Sequence, residues 1–261
     1  MIRQIDKDSI QYKIIKDFAE KKHLPLQLRL DVVDVVFDIR PASRILVRVK
    51  SEVDEVCADI INAGLSISVG RGIRWQRKST VLTCHDWFED NIGGEDYEAM
   101  AILYLSTSNS VANDTRSADE TKDDKVFGKA LGYPDCCVDW VINRGKVPEL
   151  AECIKLYTKD GFYDPLIWPG AMAVDAPLTA HYPCSIQCKK SQDIALNRIE
   201  ALQYLGCEIL IKRILDSRNM IYSINSNGQM KAQLNAEFDA MSDLPFVKPL
   251  TPAKERLQIS I

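Results

Sequence analysis

The chain has 261 residues, 46% of them hydrophobic, enough for one large or two small self-folding domains around a proper core. A net charge of −4 with a pI near 5.5 argues against non-specific nucleic-acid binding, and no apolar run approaches membrane-spanning length. Residues 1–8 lack the apolar stretch of a signal peptide, so a cytoplasmic location is expected, where eight cysteines are expected as metal ligands, catalytic thiols or core residues and not as disulfides.

Residues 9–38 place apolar side chains at helical spacing in two segments, first Ile14, Ile15 and Phe18, then Leu28, Leu30, Val33 and Val36. His23-Leu24-Pro25 separates them, and His23 reads as a surface loop residue. After Pro41, Ile45-Leu46-Val47-Arg48-Val49 is strand-like; a helix is expected over 52–63, closed by Gly64, and Leu65-Ser66-Ile67-Ser68-Val69 alternates as a strand. Gly70-Arg71-Gly72 predicts a turn with return strands in 73–84. Arg71, Arg74, Arg77 and Lys78 gather there, and a solvated hairpin face is the simpler reading beside a grip on phosphate or carboxylate. Cys84 and His85 are strand neighbours that point to opposite faces, which argues against a joint metal site. The apolar run at 99–105 suits a strand buried on both faces at the centre of a sheet. Residues 106–125 turn polar and are expected as a linker or mobile flap with some helix towards the end, dividing an α/β domain at 1–110 from a mainly helical domain at 111–261.

Beyond that boundary, residues 126–130 lead into a helix from Pro134 to about Arg144, with Gly145 as its C-terminal cap. Trp140 and Val141 lie three and four residues after Cys137, which turns that cysteine towards the interior. Another short helix is expected over 149–157, with Cys153 in the core, followed by a proline-rich irregular segment at 160–183 that can wall a pocket. A long helix of about thirty residues is expected after Ser185, with Ala195, Ile199, Leu202, Leu205 and Ile209 as its buried stripe. Cys188 begins that stripe, Lys189 and Lys190 turn partly away, and Cys207 is a packing residue. Asn227-Gly228 predicts a tight C-terminal hairpin within 221–234, and the tail after Pro245 shows no clear pattern. The fold class is α/β (α+β), an N-terminal sheet-and-helix part followed by a mainly helical, cysteine-containing part.

The chemistry concentrates in two groups beside prolines: Tyr133-Pro134-Asp135-Cys136-Cys137 and His181-Tyr182-Pro183-Cys184-Ser185-Ile186-Gln187-Cys188. Both read as helix starts, with Pro134 at the first helical position, Ser185 as an N-cap and Cys188 at the third residue of its helix. Free N–H groups and the helix dipole at such ends favour thiolates, so Cys136, Cys137, Cys184 and Cys188 are candidate ligands of one metal centre. Buried small hydrophobes are the alternative reading, and adjacent cysteines followed by Cys-x3-Cys match no common zinc spacing.

The run Gly-x-Ala-Leu-Gly-Tyr-Pro-x-Cys-Cys-Val at 128–138 and the run His-x-Pro-Cys-x3-Cys-x2-Ser at 181–191 together resemble the paired signatures of a prokaryotic protein family of unknown function. The resemblance covers roughly residues 125–200. It implies that the two cysteine groups belong to one site and supplies no activity.

Three functions follow from the residues. The first is an enzyme acting on a small molecule through an iron–sulfur cluster, most simply 4Fe-4S, on Cys136, Cys137, Cys184 and Cys188, with His181 as general acid or base. The second is a non-catalytic protein with a structural four-cysteine zinc, and the third a thiol redox protein using Cys184 and Cys188. No phosphate loop or dinucleotide fingerprint is present.

Overall fold

The computed structural model describes residues 2–48, 53–71, 73–76, 97–145, 162–163, 166–167, 178–185, 187–218, 221–224, 230–233 and 246–249. The expectations for Cys84, His85, Arg77, Lys78, the 149–157 helix with Cys153, and Asn227-Gly228 lie outside these residues. The chain divides into two compact units: one comprises Arg3–Lys21 and Leu28–Gly132, the other Met1–Ile2, Lys22–Gln27 and Tyr133–Ile261.

The first unit is built on one long strand. Helix α1 (Ile10–Glu20) starts where the Ser9 side chain accepts the Tyr12 N–H, and it buries Ile15, Phe18 and Ala19. Helix α2 (Leu26–Val36) follows the exposed His23 and Pro25. Strand β1 (Ala42–Arg48), helix α3 (Val53–Asn62), and strands β2 (Ser66–Val69), β3 (Ile73–Gln76) and β4 (Tyr97–Ser106) complete the sheet part. The apolar run expected at the centre of a sheet is β4: β1 pairs antiparallel along one edge, from Ala42 opposite Ser106 to Arg48 opposite Met100. β2 and β3 pair antiparallel, one after the other, along its other edge.

The turn expected at Gly70-Arg71-Gly72 therefore does not reverse the chain. β2 and β3 both run antiparallel to β4, so they are two successive segments on the same edge, with Gly70 just after the first. Gly70 is required for a steric reason of its own: a Cβ there would lie 2.6 Å from the ring of Tyr104, which is buried and donates its hydroxyl to Asp119.

The polar segment at 106–125, expected as a linker or mobile flap with some helix towards its end, is helical through most of its length as α4 (Asn109–Glu120). Its small residues Ala112, Thr115 and Ala118 are buried. Asn113 accepts from the Ser68 hydroxyl at 2.7 Å, and Asp119 pairs with Arg44 at 3.0 Å. Small and polar side chains hide this face from a hydrophobicity pattern, because its contacts to the sheet are hydrogen bonds and close backbone approach. Helix α5 (Asp124–Ala130) follows, capped by Asp123, whose carboxylate accepts the Val126 N–H at 3.0 Å.

In the second unit, helix α6 (Asp135–Arg144) closes at Gly145 in the left-handed conformation, φ 71°. Helices α7 (Lys189–Tyr204) and α8 (Glu208–Arg218) replace the single long helix expected after Ser185. The break is a Schellman turn at Gly206, φ 69°, in which the Cys207 N–H donates to Leu202 and the Gly206 N–H to Gln203, both at 3.0 Å. The stripe through Ala195, Ile199, Leu202 and Leu205 is buried as expected, but beyond the break Ile209 is 82% exposed. Cys207 is buried.

The C-terminal hairpin is present as β6 (Ile221–Ile224) paired antiparallel with β7 (Met230–Gln233), with Ile224 opposite Met230. The tail contributes a further strand, β8 (Phe246–Pro249), which pairs with β6 and, in parallel, with β5 (Phe162–Tyr163). Among the described residues no helix is long and apolar enough to cross a membrane.

Candidate metal centre

The first cysteine group is positioned by two backbone constraints. Gly132 takes φ +72°, and a Cβ there would lie 2.6 Å from Pro41 Cδ, so only glycine fits between α5 and the motif. Pro134 then serves as the N-cap of α6, with ψ 133°, one residue earlier than its expected place inside the helix. Its carbonyl accepts the Cys137 and Val138 N–H groups, which leaves Cys136 and Cys137 in the opening turn, the first exposed and the second buried.

The second group is also shifted from its expectation. Ser185 does not cap α7; its hydroxyl accepts the Gln187 N–H at 3.3 Å and its carbonyl accepts the Cys188 N–H, closing a local turn. Cys188 is the N-cap itself, not the third helical residue. Ser191 lies three residues on, along the buried side that continues to Ala195 and Ile199, while Lys189 is exposed and pairs with Asp193 at 2.7 Å.

The four sulfurs converge. Cys136, Cys137, Cys184 and Cys188 place their Sγ atoms within 4.8 Å of one another. The Cys136–Cys137 separation is 3.9 Å, Cys136–Cys188 is 3.8 Å and Cys137–Cys188 is 3.6 Å. A thiolate–zinc bond of about 2.3 Å would put the corners of a regular tetrahedron about 3.8 Å apart, close to the three separations among Cys136, Cys137 and Cys188. The group can bind a metal.

Donors reach the sulfurs of Cys137 and Cys188. The Cys184 N–H donates to Cys137 Sγ at 3.3 Å, and Ser191 Oγ lies 3.4 Å from Cys137 Sγ and 3.3 Å from Cys188 Sγ. Ser191 is fully buried, and its Oγ meets His181 Nε2 at 2.8 Å; the His181 ring sits 5.1 Å from the Tyr133 ring, centroid to centroid. His181 is thus buried and connected to the sulfurs through Ser191. The spacing Cys188-x2-Ser191 carried a signal for this link, since residues three apart share a helix face.

The thiols do not share their protons evenly. Burial pushes Cys137 well above the ordinary thiol range, and burial together with the Cys136 and Cys188 thiols pushes Cys184 up to about 11. Cys188 is also penalised by burial, but the Ser191 hydroxyl, the Ser191 N–H and the Cys137 and Cys184 thiols bring it down to about 7. That N–H falls short of a full capping hydrogen bond.

No curated protein and no solved structure matches the chain. Residues 109–210, from α4 through both cysteine groups and into α8, match the model of the family described as Protein of unknown function (DUF483).

Proposed function

We propose that this chain is a zinc-thiolate protein in which Cys136, Cys137, Cys184 and Cys188 hold one divalent ion tetrahedrally. The observation that supports this most is the set of Sγ separations, 3.6 to 3.9 Å among Cys136, Cys137 and Cys188. A 4Fe-4S cube puts each thiolate on a different iron and so holds its ligands farther apart than those sharing one ion; this site would have to widen to take one. Four soft donors with a serine behind two of them suit zinc, whose thiolate ligands are steadied by hydrogen bonds from neighbouring groups. His181 then orients Ser191 in place of acting on a substrate as general acid or base, since its Nε2 is engaged with Ser191 Oγ inside the protein.

Anaerobic purification followed by metal analysis and an absorption spectrum tests the reading. One zinc per chain in a colourless protein is expected. Several irons with inorganic sulfide per chain, in a brown protein, would overturn it in favour of the cluster enzyme.

A further inference from the structure

A divalent ion with four thiolates carries excess negative charge, and hydrogen bonds decide which sulfurs keep it. Donors pull density off sulfur and make it a poorer nucleophile. Here they go to the two buried cysteines: Cys137 takes the Cys184 N–H and lies beside Ser191 Oγ, and Cys188 lies beside the same hydroxyl. Cys137 is 2% and Cys188 6% exposed. Cys136 differs on both counts, because it is exposed and its Sγ contacts among the described residues are other sulfurs. Cys184 is half-buried beside the buried Pro183.

We infer that Cys136 is the nucleophile of this centre, accepting an alkyl group from a small carbon electrophile while Cys137 and Cys188 anchor the site. The inference rests on the four-thiolate centre proposed above. A sulfur lone pair of Cys136 forms the S–C bond as the bond from carbon to the leaving group breaks, and the leaving group departs with that electron pair. The thiolate becomes a neutral thioether, the excess charge at the centre falls by one, and no proton, oxidant or reductant is consumed. Coordination keeps the thiol deprotonated at neutral pH, where a free cysteine is mostly the unreactive thiol. The matching substrate class is an unhindered alkyl electrophile, one chain accepting one group.

The test uses the full chain, zinc-loaded and after chelation, treated at neutral pH with limiting iodoacetamide and mapped by peptide mass spectrometry. Cys136 is expected to be modified first, about fivefold or more faster with zinc than without, and faster than Cys57, a half-buried thiol outside the cluster. In Ser191→Ala at saturating zinc, modification is expected to spread to Cys188, whose hydroxyl partner has gone. A Cys136 rate that is unchanged or lower with zinc, or earlier labelling of Cys57, Cys137 or Cys188 in the unmutated chain, overturns the inference. Absence of bound zinc before treatment instead overturns the metal reading beneath it, so the two failures are distinguishable.

Discussion

The two units each bury a cluster of polar groups, and the clusters are completed in opposite ways. In the sheet unit, Arg40 lies among Asp31, Asp34 and Ser43, all buried: its Nε donates to Asp34 Oδ2 at 2.8 Å, and its Nη2 reaches Asp31 and, at 3.2 Å, Ser43 Oγ. The cation belongs to the chain. In the cysteine unit four thiols meet, and among the described residues their hydrogen-bond partners are one another, the Cys184 N–H and Ser191. No lysine or arginine is among those partners. A buried polar cluster that contains its own counter-charge serves the fold, whereas one that collects soft ligand atoms of a single kind can receive a metal ion.

The largest expected effect breaks the second cluster. Cys188→Ser should abolish stoichiometric zinc, read by metal analysis of the purified protein, because a hydroxyl is a poor ligand for a soft site and Cys188 is fixed at the start of α7. Cys207→Ser should retain the zinc and cost about 1–3 kcal/mol through a buried hydroxyl. If Cys207→Ser lost the metal and Cys188→Ser kept it, the ligand assignment would fall.

Breaking the self-sufficient cluster should be costly in a different measurement. Arg40→Met removes the buried guanidinium that pairs with Asp31 and Asp34 and should lower unfolding stability by about 3–5 kcal/mol in a denaturant titration. Zinc content of the folded variant should stay at one per chain. A loss below about 1 kcal/mol would mean that the carboxylates are satisfied by other groups.

The contrast sharpens at Ser191, the hydroxyl that the cysteine cluster does contain. Ser191→Ala should weaken zinc binding about 10–100-fold in a competition titration against a chelator, with Ser191→Thr recovering part of the affinity. Equal affinity for Ala and Ser would show that the contacts to Cys137 and Cys188 do not steady the ligands. The smallest effect belongs to the element between α7 and α8. Gly206→Ala, at φ 69°, should cost about 1 kcal/mol in thermal unfolding and leave zinc in place, since it strains the turn without touching a ligand.

Parts of this arrangement were legible from residue order and parts were not. The apolar run of β4 and the Gly145 cap announce themselves locally, because burial on both faces needs continuous hydrophobicity and a left-handed residue needs glycine. Helix α4 was not legible, since alanine, threonine and asparagine seal it to the sheet and read as loop composition. Cys188 took the cap position expected of Ser185, because either can open a helix and the local turn closed by Ser185 delays the helix start by three residues.

By itself the sequence determined which donors exist and that both pairs stand beside helix starts, because prolines and N-cap chemistry act over a few residues. Only the tertiary structure decided that Cys136 and Cys188, fifty-two positions apart, bring their sulfurs to 3.8 Å, and that Ser191 and His181 stand behind the buried pair. A separation of sulfurs is set by how α6 packs near the start of α7, and packing sums many weak long-range contacts that no local pattern encodes. That closeness makes the four thiols one group that can bind a metal.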